Sequence, residues 1–141
     1  MQETTSKLFH RLCSKESGKA FLSQERTDPT CAQILQELLE QAGVSAPEWI
    51  AAADISKSYA YQVLRGERTP GRDILLRTAL SLSLSVKETQ RLLTVSGCGV
   101  LYPKIRRDAA VIFALNQKMT LLETEDLLSS LPERSLYARE S

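Results

Sequence analysis

From residue 31 onward, apolar positions return with a helical period. Cys31, Ile34, Leu35, Leu38, Leu39 and Ala42 fall at i, i+3, i+4, i+7, i+8 and i+11, the spacing that gathers side chains on one face of an α-helix. Thr30 with Gln33 three residues on is a capping-box start, and Gly43 suits a left-handed stop. Ser45 and Glu48 repeat the start signal for a short helix over about Ala46 to Ala53, with Pro47 in the first turn, where its missing N–H costs little. The chain then turns at Asp54, Ile55 and Ser56. Ser56 caps a third helix that runs to about Arg65, with Gly66 after it.

Pro70 and Gly71 restart the chain. A fourth helix is expected over about Arg72 to Ser83, carrying Leu75, Leu76, Ala79, Leu80 and Leu82. Ser85 and Glu88 open a fifth, which ends near Gly97. After the break "GCGVLYP", a sixth helix follows Pro103 and is expected to bury Ile105, Ala109, Ile112 and Phe113. Thr120 and Glu123 begin a last helix with Leu127, Leu128 and Leu131. In the first 29 residues a short helix is expected around Leu8, Phe9 and Leu12, followed by the polar connection "SQERTDP". No run alternates with period two, so the fold class is all-α.

The helix of about seven residues, the three-residue turn and the helix of about nine residues at 46–65 make a helix-turn-helix unit. The turn needs a residue that tolerates positive φ, and Asp54 does so better than most. Ile55 plugs the core, and Ala60 and Val63 are small or branched enough for two helices to cross closely. The outward positions follow from phase: Ser58, Tyr61, Gln62 and Arg65 form one stripe. Gln pairs bidentately with adenine, Arg with guanine, and Ser bonds either way, so these are candidate base-reading residues. Tyr61 can stack on sugar, touch a thymine methyl or pack sideways. Lys57, Arg68 and Arg72 flank the stripe as candidate phosphate contacts. Tyr59 can serve the same end or pack.

Charge adds to this picture. The chain has 141 residues and a net charge of only +1, but its middle is basic. Residues 30–56 hold four acids and no Lys or Arg; residues 57–107 hold ten basic and three acidic residues; residues 108–141 hold three basic and six acidic. A basic middle between acidic flanks gives one positive face on a nearly neutral molecule, the footprint of a nucleic-acid binder. Lys104, Arg106 and Arg107 cluster where a sixth helix starts, against its dipole, and call for an acidic neighbour, a pairing with Asp108, or a partner.

The segment "APEWIAAADISKSYAYQVLRGERTP" resembles the phage-repressor-like (Xre/Cro-type) helix-turn-helix family of bacterial DNA-binding regulators. Ile55, Ser56, Val63, Gly66 and Pro70 stand at the family's apolar plug, cap, branched core residue, helix-ending Gly and loop Pro. Asp54 replaces the usual turn Gly, and Ile50 replaces the small residue preferred at the helix contact. The run "YAYQVLRGERTPGRDILLRTALSLSLSVKETQRLLTVSG" with "LYPKIRRDAAVIFALN" is similar to a subgroup with a short N-terminal helical arm and two extra C-terminal helices. The resemblance implies a lambda-repressor-like five-helix domain at 30–100, an arm at 1–29 and a C-terminal helical pair at 101–141 packed on the same core. It also implies double-stranded DNA as partner, read through the major groove. A homodimer through the N-terminal arm or the C-terminal helices is expected from the need for two half-sites. The alternative is a protein-interaction adaptor that keeps the fold without DNA readout; low net charge, Ile50 and the added helices favour it.

Other chemistry finds little support. Cys13, Cys31 and Cys98 are odd in number and widely spaced, and His10 is the sole histidine, so neither a zinc site nor a catalytic nucleophile with its base is expected. "ESGKA" at 16–20 lacks the rest of a phosphate-binding loop, and "GCG" at 97–99 reads as a helix stop. No cofactor or enzymatic activity is expected. No apolar run approaches the roughly 20 residues of a membrane span, no secretory signal is evident, and three widely spaced thiols suit a cytoplasmic protein.

Overall fold

The computed structural model describes residues 29–137. The arm helix expected around Leu8, Phe9 and Leu12 lies outside them. Within them the chain forms α1 (Cys31–Ala42), α2 (Ala46–Ala53), α3 (Lys57–Leu64), α4 (Arg72–Ser81), α5 (Val86–Val95), α6 (Arg106–Asn116) and α7 (Leu121–Ser130). Among the described residues there is no strand, and no helix is long and apolar enough to cross a membrane.

Local chemistry sets the helix ends. The Thr30–Gln33, Ser85–Glu88 and Thr120–Glu123 pairs form full capping boxes for α1, α5 and α7. Ser45 caps α2 differently: its hydroxyl accepts from the Glu48 amide and donates to Glu48 Oε1 at 3.1 Å. Gly43 ends α1 in the left-handed region. Asp54 ends α2 at φ 55° and ψ 55°, a conformation that Asp tolerates better than most non-glycine residues. Ser56 then accepts from the Tyr59 amide and opens α3.

Helix α1 divides two cores. Its Leu35 and Leu39 pack with Trp49, Ala53, Ala60 and Val63 in a small core shared by α1, α2 and α3. Its Ile34 and Leu38 face a larger core built from Leu75, Leu76, Ala79 and Leu80 of α4, Leu92 and Leu93 of α5, and residues of α6 and α7. Trp49 is fully buried, and its indole N–H donates to Thr78 Oγ1 at 2.9 Å, so α2 is pinned to α4 by a satisfied polar group as well as by packing. Ile50 is partly buried against the small core.

Helix α6 corrects one expectation. Ile105, Ala109, Ile112 and Phe113 do not form its buried face: Ile105 and Phe113 are 52% and 53% exposed, and Ala109 and Ile112 are only partly buried. The inward residues are Arg107, Asp108, Ala110, Val111, Ala114 and Leu115. The stretch "DAAVIFAL" is apolar nearly all round, so periodicity alone does not set its phase. Two buried charges set it instead, because both find partners on α4.

Candidate nucleic-acid interface

Helix α3 places its residues by phase. Ala60 and Val63 are fully buried in the small core. Ser58 and Arg65 are exposed, and Tyr61 and Gln62 are partly exposed. Ser58, Tyr61 and Gln62 thus share the solvent side of one short helix, and Arg65 continues that side at its C-cap, as their spacing predicts. Its far end is held by Gln36 of α1, whose amide donates to the Leu64 carbonyl at 2.6 Å. Gly66 follows at φ 79°, and the Glu67 amide returns to the Gln62 carbonyl at 2.9 Å. A left-handed residue with a returning amide is a common helix stop, and it needs Gly at Gly66.

Arg65 is already paired. Its Nε and Nη2 donate to the two carboxylate oxygens of Glu67 at 3.0 and 3.2 Å. That bidentate bond holds the Glu67 carboxyl below the usual carboxylate range and raises the Arg65 guanidinium. Both side chains are more than half exposed, so water screens the pair and either partner is free to exchange it.

Among the flanking residues, Lys57 and Arg68 are exposed. The Arg68 guanidinium lies 5.8 Å from the centre of the Tyr59 ring, within cation–π range. Tyr59 itself is partly buried against the small core, so it packs on one side and meets Arg68 on the other. Arg72 is turned inward. Its guanidinium donates to the carbonyls of Gly99 and Val100 at 2.8 and 3.0 Å, and bidentately to Asp108 at 3.0 and 2.8 Å. It ties the start of α4 to the α5–α6 connection, and the Tyr102 amide completes the Asp108 carboxylate at 2.9 Å.

The cluster at the start of α6 is likewise partnered. Arg107 is buried and pairs bidentately with Asp73 at 3.1 Å on both nitrogens, while Arg106 meets Glu133 at 2.8 Å. Lys104 is exposed. The acidic neighbours that this cluster calls for are therefore Asp73 and Glu133, and Asp108 pairs with Arg72 instead. Two Arg-Asp dipeptides, 72–73 and 107–108, exchange partners across the helix starts. Sequence reasoning missed this reciprocal pair. Its signal was the repeated dipeptide in "GRDILL" and "RRDAAV", each at the head of an apolar helix.

Among the described residues no group of three or more His, Cys, Asp or Glu is placed to hold a metal ion. Cys31 and Cys98 are free thiols. Burial pushes both up from the ordinary thiol value, which keeps them protonated and poorly nucleophilic at neutral pH. Compared with protein-family models, with curated proteins and with solved structures, the chain has no match.

Proposed function

We propose that this chain is a bacterial transcriptional regulator that binds double-stranded DNA sequence-specifically through the major groove, with a lambda-repressor-like helix-turn-helix domain of the Xre/Cro type. The observation that carries this reading is the row Ser58, Tyr61, Gln62 and Arg65 on the open side of α3, whose other side is buried through Ala60 and Val63. Such a helix is short and rigidly seated, and it carries donors and acceptors suited to base edges. Lys57, Arg68 and Tyr59 border the row and suit phosphate contacts. Arg72 is withdrawn from that group by its four internal hydrogen bonds and serves the scaffold. One chain offers one such helix, so useful specificity calls for a homodimer on half-sites about 34 Å apart.

Selection from a random duplex library tests the reading directly. An enriched motif is expected with the native chain, and its loss is expected with a Gln62→Ala/Arg65→Ala double variant. Recovery of the same motif by the variant would sink the assignment of α3.

A second reading, an adaptor that docks proteins, draws on a different observation. The large apolar side chains exposed among the described residues are Val100, Tyr102, Ile105, Phe113, Leu122 and Tyr137. All follow residue 99, and none lies on α1 to α5. Failure of the chain to shift random duplex DNA at low salt would favour this alternative.

A further inference from the structure

The last carbonyls of a helix have no partner within it, and those of α2 lie directly before the turn that aims α3. The Ile50 carbonyl accepts from the amides of Asp54 and Ile55, the latter at 3.3 Å. The Ala53 carbonyl accepts from Arg77 Nε at 2.7 Å, and the Ala52 carbonyl accepts from the Tyr137 hydroxyl at 3.5 Å. The end of α2 is therefore closed by groups far away in sequence.

Arg77 belongs to α4 and is only 7% exposed. Among the described residues it forms no ion pair. Its guanidinium instead joins two carbonyls, of Ala53 and of Leu136, and stacks 4.7 Å from the centre of the Tyr137 ring. A buried cation held by carbonyls and a ring is costly unless its geometry is fixed. Here the C-terminal strap, residues 133–137, fixes it. Leu136 is fully buried in the large core. Glu125 of α7 accepts from Ser135 Oγ at 2.6 Å and from the Leu136 amide at 2.9 Å. Arg107 of α6 donates to the carbonyls of Arg134 and Ser135 at 2.9 and 3.1 Å.

We infer that Arg77 is a positioning residue for DNA reading: together with Tyr137 it transmits the seat of the C-terminal strap to the end of α2, and so to the angle at which α3 is presented. The carbonyl end of α2 carries the negative pole of the helix, so a guanidinium is the natural group to hold it. Through this link, whatever occupies or displaces the strap alters the turn 54–56 without touching α3. The functional meaning of the link rests on the DNA-binding reading; the link itself does not.

Amide hydrogen exchange of the free full-length chain tests the link. Arg77→Met keeps the buried stem and removes the donors; Tyr137→Ala, at an exposed position, removes the ring and hydroxyl without opening the core. Both are expected to speed exchange at Asp54 and Ile55 by about ten-fold or more, as local opening does when an end contact is lost. Lys118→Ala, which breaks a comparable tie to the Ser83 carbonyl, is the control and is expected to leave those two amides unchanged. If Arg77→Met does not fold, Tyr137→Ala decides alone. Unchanged exchange at Asp54 and Ile55 in a folded Tyr137→Ala chain would overturn the inference, as would an increase spread evenly over all helices. On DNA, the ratio of specific to non-specific affinity is expected to fall about ten-fold in Tyr137→Ala and in Arg77→Met, with partial recovery in Arg77→Lys, while non-specific affinity stays constant because it follows phosphate charge. A native chain that binds no duplex would remove the DNA reading and leave the exchange result to judge the link.

Discussion

Arg65 and Glu67 show how a single contact can hold a candidate reading residue in reserve. The guanidinium that suits a guanine edge is occupied in the free protein by a carboxylate two residues away. On the proposed DNA-binding reading, binding a base exchanges one bidentate pair for another, and the Glu67 charge left beside the duplex opposes the phosphates. Glu67→Gln is expected to strengthen binding to duplex DNA about three- to ten-fold at moderate salt, since one repelling charge is removed. A titration by fluorescence anisotropy measures it, and unchanged or weaker binding would count against Arg65 as a contact. Acid has the same sense. The Glu67 carboxyl lies below its usual range because Arg65 bonds to it, so its contribution is present above the ordinary carboxylate pKa. It is lost as pH falls through the lowered value, which releases Arg65.

Most helix boundaries follow from signals carried by neighbouring residues. Ser or Thr followed by Glu or Gln three places on marks the starts of α1, α5 and α7, and Asp54 takes the left-handed turn its side chain tolerates. Helix α6 behaves differently, because its inward face includes Arg107 and Asp108. A pattern rule places charges outside; these are inside because α4 presents Asp73 and Arg72 to meet them. The pairs also place Asp73 and Asp108 in the first turns of their helices, where negative charge is favoured. Removing Arg107 leaves Asp73, whose side chain is 18% exposed, with only the looser Arg134 contact at 3.7 Å; breaking a buried pair costs about 3–5 kcal/mol. Arg107→Met is therefore expected to lower unfolding free energy by roughly that amount in urea titration. The double change Arg107→Met/Asp73→Leu is expected to recover part of it, because the one charge it leaves unpaired, Arg134, is more than half exposed. A single variant that costs under ~1 kcal/mol, the range of surface pairs, would show that the Arg107–Asp73 bond is solvated and unimportant.

Among the described residues the fold is organised around α4, which packs against α2 as well as against α5, α6 and α7, while α1 packs on α3 and α5. The large core draws Leu101, Val111, Leu115, Leu128 and Leu136 from beyond residue 100. Each such side chain contributes about 1.5–3 kcal/mol by leaving water, a sum comparable with the ~5–15 kcal/mol by which a domain is stable. A chain ending at residue 100 is accordingly expected to lack a cooperative thermal transition, followed by near-ultraviolet circular dichroism. A sharp transition in that fragment would show that 31–100 holds a core of its own. Helical class, seven helices from residue 31 on, their caps and the outward row on α3 could all be read along the chain, because caps and periodicity involve residues at most a few places apart. The phase of α6, the inward turn of Arg72, the occupation of Arg65 and the strap over Arg77 could not. The Arg72–Asp108 and Arg107–Asp73 bonds and the reach of Arg77 to Leu136 join residues 36, 34 and 59 places apart. Which charge finds which partner at such separations is decided only when the helices pack.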